Sequence, residues 1–302
     1  MDINWYPGHM AKAKRLLADQ LGRVDVVVEL CDARLPHASR NPDLDKLLSG
    51  KKRVLLLNKA DLADPQATSA WLNEFSRQGI DASSYNASAG KAKDALAVIE
   101  KAARETVERA AQRGIKKTVK AMVVGVPNVG KSTFTNKLHG GSIAKTGDRP
   151  GVTRSNQWVR INPYLELMDS PGLLWPRLDD QIAARRLCYI GTVKDDVVDL
   201  AMLTIHLLQD LLKVKPEAVM ERFRVKDPTL TGEALLEAVC QGRGFLMKGG
   251  VYDYDRCCGV VLDEFRAGKL GRITLELPRK PEKSRLIIPG AKETEAAPHG
   301  ED

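Results

Sequence analysis

The chain has 302 residues, 43% hydrophobic and 28% charged, the balance of a globular protein with room for one large or two ordinary domains. Its net charge of +8 favours a polyanionic partner, nucleic acid or an anionic membrane surface, over an acidic protein. Five cysteines (Cys31, Cys188, Cys240, Cys257, Cys258) without a CxxC pair argue against a zinc or disulfide framework and fit a reducing compartment.

In chain order, a basic helical run, Ala11 to Leu21, precedes an apolar strand, Val24 to Leu30. A second strand, Arg53 to Leu57, ends in Asn58-Lys59-Ala60-Asp61. A helix near Gln66 to Gln78 leads to a short strand near Ser83 to Asn86, and a long charged helix follows, about Lys91 to Arg113. A fourth strand, Val119 to Val124, enters a Gly-rich loop and a helix, and two more strands lie near Gln157 to Ile161 and Tyr164 to Met168. Strands alternating with helices predict an α/β fold, a mostly parallel six-stranded sheet covered on both faces. Beyond Gln181 only helical periodicity remains, over Val197–Leu212, Pro216–Phe223, Gly232–Gln241 and Tyr254–Ala267, so a small all-α domain is expected. The boundaries expected are 1–178, 179–275 and a mobile Pro-, Lys- and Glu-rich tail over 276–302. Val197–Leu212 is interrupted by Asp199, His206 and Asp210, which reads as a buried amphipathic helix and not a membrane span. With no signal-peptide pattern at the N-terminus either, the expected location is the cytoplasm.

Gly125-Val-Pro-Asn-Val-Gly130-Lys131-Ser132 matches the GxxxxGK[ST] phosphate loop, after a strand and before a helix. Glycines there let successive backbone N–H groups and a helix N-terminus face phosphate. Asn128, Val129, Gly130, Lys131, Ser132 and Thr133 are the expected phosphate-side residues, with Lys131 on the β- and γ-phosphates and Ser132 on Mg²⁺. Asp169-Ser170-Pro171-Gly172 ends another strand, so Asp169 is expected to hold Mg²⁺ and the Gly172 N–H to sense the γ-phosphate. Between them, Thr153 of Pro150-Gly151-Val152-Thr153 is a further Mg²⁺ ligand and γ-phosphate contact.

The base is predicted to be guanine. A carboxylate at Asp61 only accepts hydrogen bonds, and guanine offers two adjacent donors, N1–H and the 2-amino group. Adenine offers neither and would leave the carboxylate unpaired, a discrimination worth roughly 10⁴ or more. Asn58 would tie neighbouring loops together, the Lys59 stem would cover one face of the base, and Asn86, Ser88 and Ala89 resemble the serine-alanine motif that meets the guanine oxygen.

Ras-like GTPases carry the phosphate loop first and the guanine motifs last. Here the guanine motifs, at 58 and 86, precede the phosphate loop at 125, so the order is circularly permuted, with the helix over Lys91 to Arg113 as the joint. The cut leads from Gly172 into the helical domain within about twenty residues, which would let that domain read the nucleotide state.

The motifs Trp5-Tyr6-Pro7-Gly8-His9-Met10, Asp32-Ala33-Arg34-Leu35-Pro36, Asn58-Lys59-Ala60-Asp61, the phosphate loop, Pro150–Thr153 and Asp169–Gly172 resemble the RbgA/YlqF family of circularly permuted ribosome-assembly GTPases over roughly residues 3–270. The resemblance implies late assembly of the large ribosomal subunit (50S), GTP hydrolysis stimulated by that particle, and rRNA binding through the helical domain. Alternatives are an RNA-binding protein in which hydrolysis is incidental, and a mitochondrial counterpart. Ras-like enzymes place a water-orienting glutamine where this chain has Leu173. The resemblance points to His9 as the catalytic residue instead, and to Asn128 as a ligand for K⁺ near the phosphates. Lys12, Lys14 and Arg15, and in the helical domain Lys194, Lys213, Lys215, Arg222, Arg224, Lys226, Arg243 and Lys248, are the candidate phosphate-backbone contacts. A monomer acting away from membranes is expected.

Overall fold

The computed structural model describes residues 8–141, 158–170, 172 and 180–278; in the first helix it describes side chains for residues 14, 15 and 17 onward. Helix α1 (Gly8–Leu21) leads into β1 (Val26–Asp32), the one strand buried at every position. That burial follows from its place, since β1 pairs in parallel with β2 (Lys52–Asn58) on one side and β4 (Val119–Val124) on the other. Val28 sits opposite Val54 and Val123; a strand with both neighbours and both faces covered is mostly apolar, and the two charged side chains of β1, Glu29 and Asp32, are paired with Arg53 and Arg34. β3 (Ala82–Ser84) extends the sheet beyond β2, while β6 (Leu165–Asp169) lies beyond β4 and pairs antiparallel with β5 (Trp158–Asn162). The order β3-β2-β1-β4-β6-β5 is a doubly wound sheet with one antiparallel edge strand.

Short α2 (Pro42–Leu47) starts with Asn41, which accepts from the Asp43 N–H, and Pro42 in the first turn. Helix α3 (Pro65–Arg77) repeats the device with Asp64 and Pro65, and its Trp71 and Phe75 stack at 5.4 Å under β1 and β2. Helix α4 (Ala92–Ala111) carries the chain from β3 to β4, burying Ala95, Ile99 and Ala103 at helical spacing. Helix α5 (Lys131–His139) follows the phosphate loop. On the face opposite α4 and α5, beside α3, Leu17 and Leu21 of α1 pack with Val27, Met122 and Met168.

The remaining described helices are α6 (Gln181–Tyr189), α7 (Leu200–Val214), α8 (Pro216–Phe223), α9 (Gly232–Arg243) and α10 (Tyr254–Arg266). The expected start of α7 at Val197 is late by three residues in the structure: Asp199 accepts from the Met202 N–H and caps the helix, and a 3-10 turn, Asp195–Val197, precedes it. α7 is the pivot, with Leu203, Leu207, Leu208 and Leu211 fully buried. The apolar core runs without a break from Val28 and Val123 of the sheet to these leucines. All five cysteines are buried free thiols.

The expected tail beginning at residue 276 is corrected. Glu276 is 6% exposed and accepts from the His37 and Ala38 N–H groups, while its own carbonyl accepts from Trp71 Nε1 at 2.8 Å. A composition rich in Pro, Lys and Glu from here on suggests disorder, but these bonds hold Glu276 against the loop after β1 and against α3. Residues 279–302 lie outside the described residues.

Candidate functional site

The C-terminal ends of β1, β2, β4 and β6 deliver the motif residues to one edge of the sheet. After β4 the phosphate loop turns at Gly125, where φ is +146° and a Cβ would fall 2.4 Å from the Leu30 carbonyl oxygen. Gly130 enters α5 at φ +95°, and a Cβ there would fall 2.5 Å from Asn58 Nδ2. Asn58 thus lies directly against the loop. Its Nδ2 donates to the Val129 carbonyl at 2.8 Å, and its Oδ1 accepts from the Ala87 N–H at 2.8 Å. One side chain bridges the phosphate loop and the loop after β3.

Lys59 has a positive φ, +58°, and so does Asn128, +64°, both outside the comfortable range of a side-chain-bearing residue. Lys59 Nζ donates to the Asn128 carbonyl at 2.7 Å and lies 3.3 Å from Asp32 Oδ2. Asn86 folds its own loop: its Oδ1 accepts from the Ser88 and Ala89 N–H groups at 2.9 and 3.0 Å. Ser88, Ala89 and Asp61 are exposed at the rim, and the Ala60 N–H donates to the Tyr85 carbonyl, joining their two loops.

Lys131 is buried and its Nζ donates to the Val126 carbonyl at 2.8 Å. Burial pulls its ammonium pKa down to about 8, against the opposing pull of Asp169. Asp169 is pushed up by burial, less the effects of Lys131 and of the Ser132 hydroxyl, which donates to Oδ2 at 2.8 Å. The other oxygen, Oδ1, is buried with no hydrogen-bond partner among the described residues. Thr133 is half-buried in the first turn of α5. Gly172 closes the phosphate side: a Cβ on it would fall 2.8 Å from Pro127, so only glycine allows this approach. Thr153 and the side chain of His9 lie outside the described residues.

Several contacts were not legible in the motifs. Asn128 Nδ2 donates to the Gly191 carbonyl, and Thr192 Oγ1 donates to the Pro127 carbonyl at 3.2 Å, so the turn after α6 is fastened to the phosphate loop. Arg34 is 1% exposed; it donates to Asp32 and also to the carbonyls of Phe265 and Arg266 at 3.0 and 3.2 Å. Arg266 in turn donates to the Cys188 and Tyr189 carbonyls that end α6 and pairs with Asp195. A buried arginine aimed at carbonyl groups at helix ends satisfies acceptors that the helices leave open.

A family model described as "50S ribosome-binding GTPase" matches residues 120–229. The match opens in β4, at the phosphate loop, and leaves out the guanine motifs that precede it here. The Ribosome biogenesis GTPase A of Bacillus cereus is 43% identical over 282 residues, 93% of this chain and 95% of its own. That of Priestia megaterium is 41% identical over 94% of this chain and 99% of its own. The chain belongs to the ribosome biogenesis GTPase A family. Among solved structures, GNP-bound YlqF from T. maritima is similar with a TM-score of 0.63 at 27% identity, covering 88% of this chain and 98% of that one. The protein is therefore a GTPase, with the circularly permuted sheet of its family.

GTPases use Mg²⁺ with the nucleotide, and the donors here suit it. The Ser132 hydroxyl and the unpartnered Oδ1 of Asp169 are hard oxygen ligands, few enough to leave room for phosphate oxygens and water. Held there, the ion would neutralise charge on the phosphates. The described residues contain no cluster of three or more His, Cys, Asp or Glu suited to a metal.

Proposed function

We propose that this GTPase is a nucleotide-dependent switch in late assembly of the large ribosomal subunit, binding rRNA through the helical domain and hydrolysing GTP faster on the particle. The supporting observation is a shared residue. Pro127 of the phosphate loop touches Gly172 on one side and accepts from Thr192 of the helical domain on the other. A γ-phosphate contact that shifts Gly172 would press on the group that Thr192 holds. The names of the relatives supply the ribosome. Lys194, Arg224, Lys226 and Lys248 are exposed on the helical domain and available to phosphate, whereas Arg222 and Arg243 both pair with buried Glu264.

Asn58, Lys59, Asp61, Asn86, Ser88 and Ala89 would bind the guanine. Asn128, Val129, Gly130, Lys131, Ser132, Thr133, Thr153 and Gly172 would bind the phosphates. Ser132, Thr153 and Asp169 would hold Mg²⁺. Asn128 would also face K⁺, and the bond from its amide nitrogen to Gly191 fixes which way its amide oxygen turns.

His9 would orient the water. Helix α1 supports this reading: its Leu17 packs in one cluster with Met168, the neighbour of Asp169 in β6, and Lys14 pairs with Asp43 at the start of α2. The protein would act in the cytoplasm as a monomer. No helix among the described residues is long and apolar enough to cross a membrane.

Co-sedimentation with large ribosomal subunits in GTP, GDP and a non-hydrolysable analogue tests the switch. Retention with GTP or its analogue and release with GDP is expected. Equal retention in all three states would refute it, and turnover unchanged by added subunits would favour the incidental-hydrolysis alternative.

A further inference from the structure

After α10 the chain turns at Gly268 and Gly271, both at positive φ, and comes back across the nucleotide-binding loops. Arg272 donates from Nε to the Ala63 carbonyl and from Nη2 to the Ala60 carbonyl, each at 3.2 Å. The Ile273 N–H donates to the Leu62 carbonyl at 2.9 Å, and Thr274 Oγ1 accepts from the Asp64 N–H at 3.1 Å. These four contacts take up the backbone on both sides of Asp61. Further on, the Leu275 N–H donates to the Arg34 carbonyl at 2.9 Å, and Glu276 holds the His37 and Ala38 N–H groups.

Apart from this segment, the loop is held by its own turn and by the Ala60 N–H, which donates to the Tyr85 carbonyl at 3.1 Å on the Lys59 side of Asp61. The Leu62 and Ala63 N–H groups donate to the Lys59 and Ala60 carbonyls at 2.9 and 3.4 Å, but among the described residues nothing in that turn bonds the Asp61 backbone from the far side, and Asp61 itself is exposed. A carboxylate that must meet two adjacent donors on a base needs placement to about 0.5 Å. Rim residues of an exposed loop do not keep that placement unaided.

We propose that residues 272–276 are a strap that sets the position of Asp61, with Arg272 and Thr274 as positioning residues for guanine recognition. The inference rests on Asp61 being the guanine reader. Because the strap continues directly from α10, the helical domain is tied to the base as well as to the phosphates. When the strap loosens, Asp61 would no longer meet both adjacent donors in good geometry at once, and the advantage of a base that offers both would fall.

Comparing GDP with inosine diphosphate isolates that bond, because the latter lacks only the 2-amino group. Competition titrations on the full chain would compare the wild type, Arg272→Met, Arg272→Met with Thr274→Val, and Arg272→Lys. The double variant is expected to lose about tenfold of its preference for GDP, the single variant less, and the lysine variant to keep most of it. Arg272 is exposed, so Arg272→Met folds. Tyr189→Phe, which removes a hydroxyl bond to Asp210 inside the helical domain, lowers stability without moving the preference. A wild-type preference in the double variant overturns the strap. A wild type that binds GDP and inosine diphosphate equally overturns Asp61 as the reader, and the strap with it.

Discussion

Arg34 and Asp32, two residues apart, form a bidentate ion pair inside the protein, with Nε to Oδ1 at 2.9 Å and Nη2 to Oδ2 at 2.8 Å. Both side chains are almost wholly buried, and the same guanidinium reaches across to α10. Lys59 leans on the other side of Asp32. The pair therefore sits where the guanine loop, the sheet and the helical domain meet.

Removing one partner of such a pair leaves a buried charge alone and strips two α10 carbonyls. Arg34→Met is expected to destabilise the protein by roughly 3–5 kcal/mol. Urea unfolding followed by circular dichroism measures this; a loss under 1 kcal/mol would mean that water reaches Asp32 in the variant.

The pair also fixes a pH dependence. Burial alone would raise the Asp32 carboxyl, but the charges of Arg34 and Lys59 and the bonds from Arg34 hold it well below the usual range. A carboxyl depressed on folding adds stability above its unfolded value, about 3.9, and loses it as pH falls toward the folded one. The urea midpoint of the wild type should drop between about pH 5 and pH 2. Asp32→Asn should show a shallower drop over the same interval, and parallel curves would rule Asp32 out as a source.

Asn58 is 1% exposed and satisfies two backbone groups of different loops. Asn58→Ala leaves the Val129 carbonyl and the Ala87 N–H without it, each worth about 1–3 kcal/mol when buried. GDP affinity is expected to fall at least tenfold, read by isothermal titration. An affinity within twofold of wild type would show that the two loops need no tie.

Gly172 approaches Pro127 as only glycine can. Gly172→Ala forces the segments apart while leaving Lys131 and Asp61 untouched. Hydrogen exchange over residues 190–193 should differ between a GTP analogue and GDP in the wild type and lose that difference in the variant. A difference that persists would move the signal path away from Pro127.

Much of this was legible in sequence for a physical reason. β4 and α8 fall at the residues expected from periodicity, because a buried strand and a Pro-started helix are local patterns. α2 and α6 escaped notice: one is six residues long, and the other shows its start only in Asp180, which accepts from the Ile182 and Ala183 N–H groups. The phosphate loop was visible because its chemistry needs glycine at fixed spacing. The work of Arg34, Arg266 and Thr192 was not, since each acts on carbonyl groups of residues far away in sequence, which carry no residue-specific mark. The strap was invisible for the same reason: most of its bonds go to or from backbone groups around Asp61 and Arg34.

The strap also inverts an order in time. The loops bearing Asn58, Asp61 and Asn86 leave the ribosome early in synthesis, before the phosphate loop exists. Their last fastening, at residues 272–276, is made after every helix of the second domain has emerged. A nascent chain would therefore carry the loops proposed to bind guanine long before residues 272–276 could clamp them.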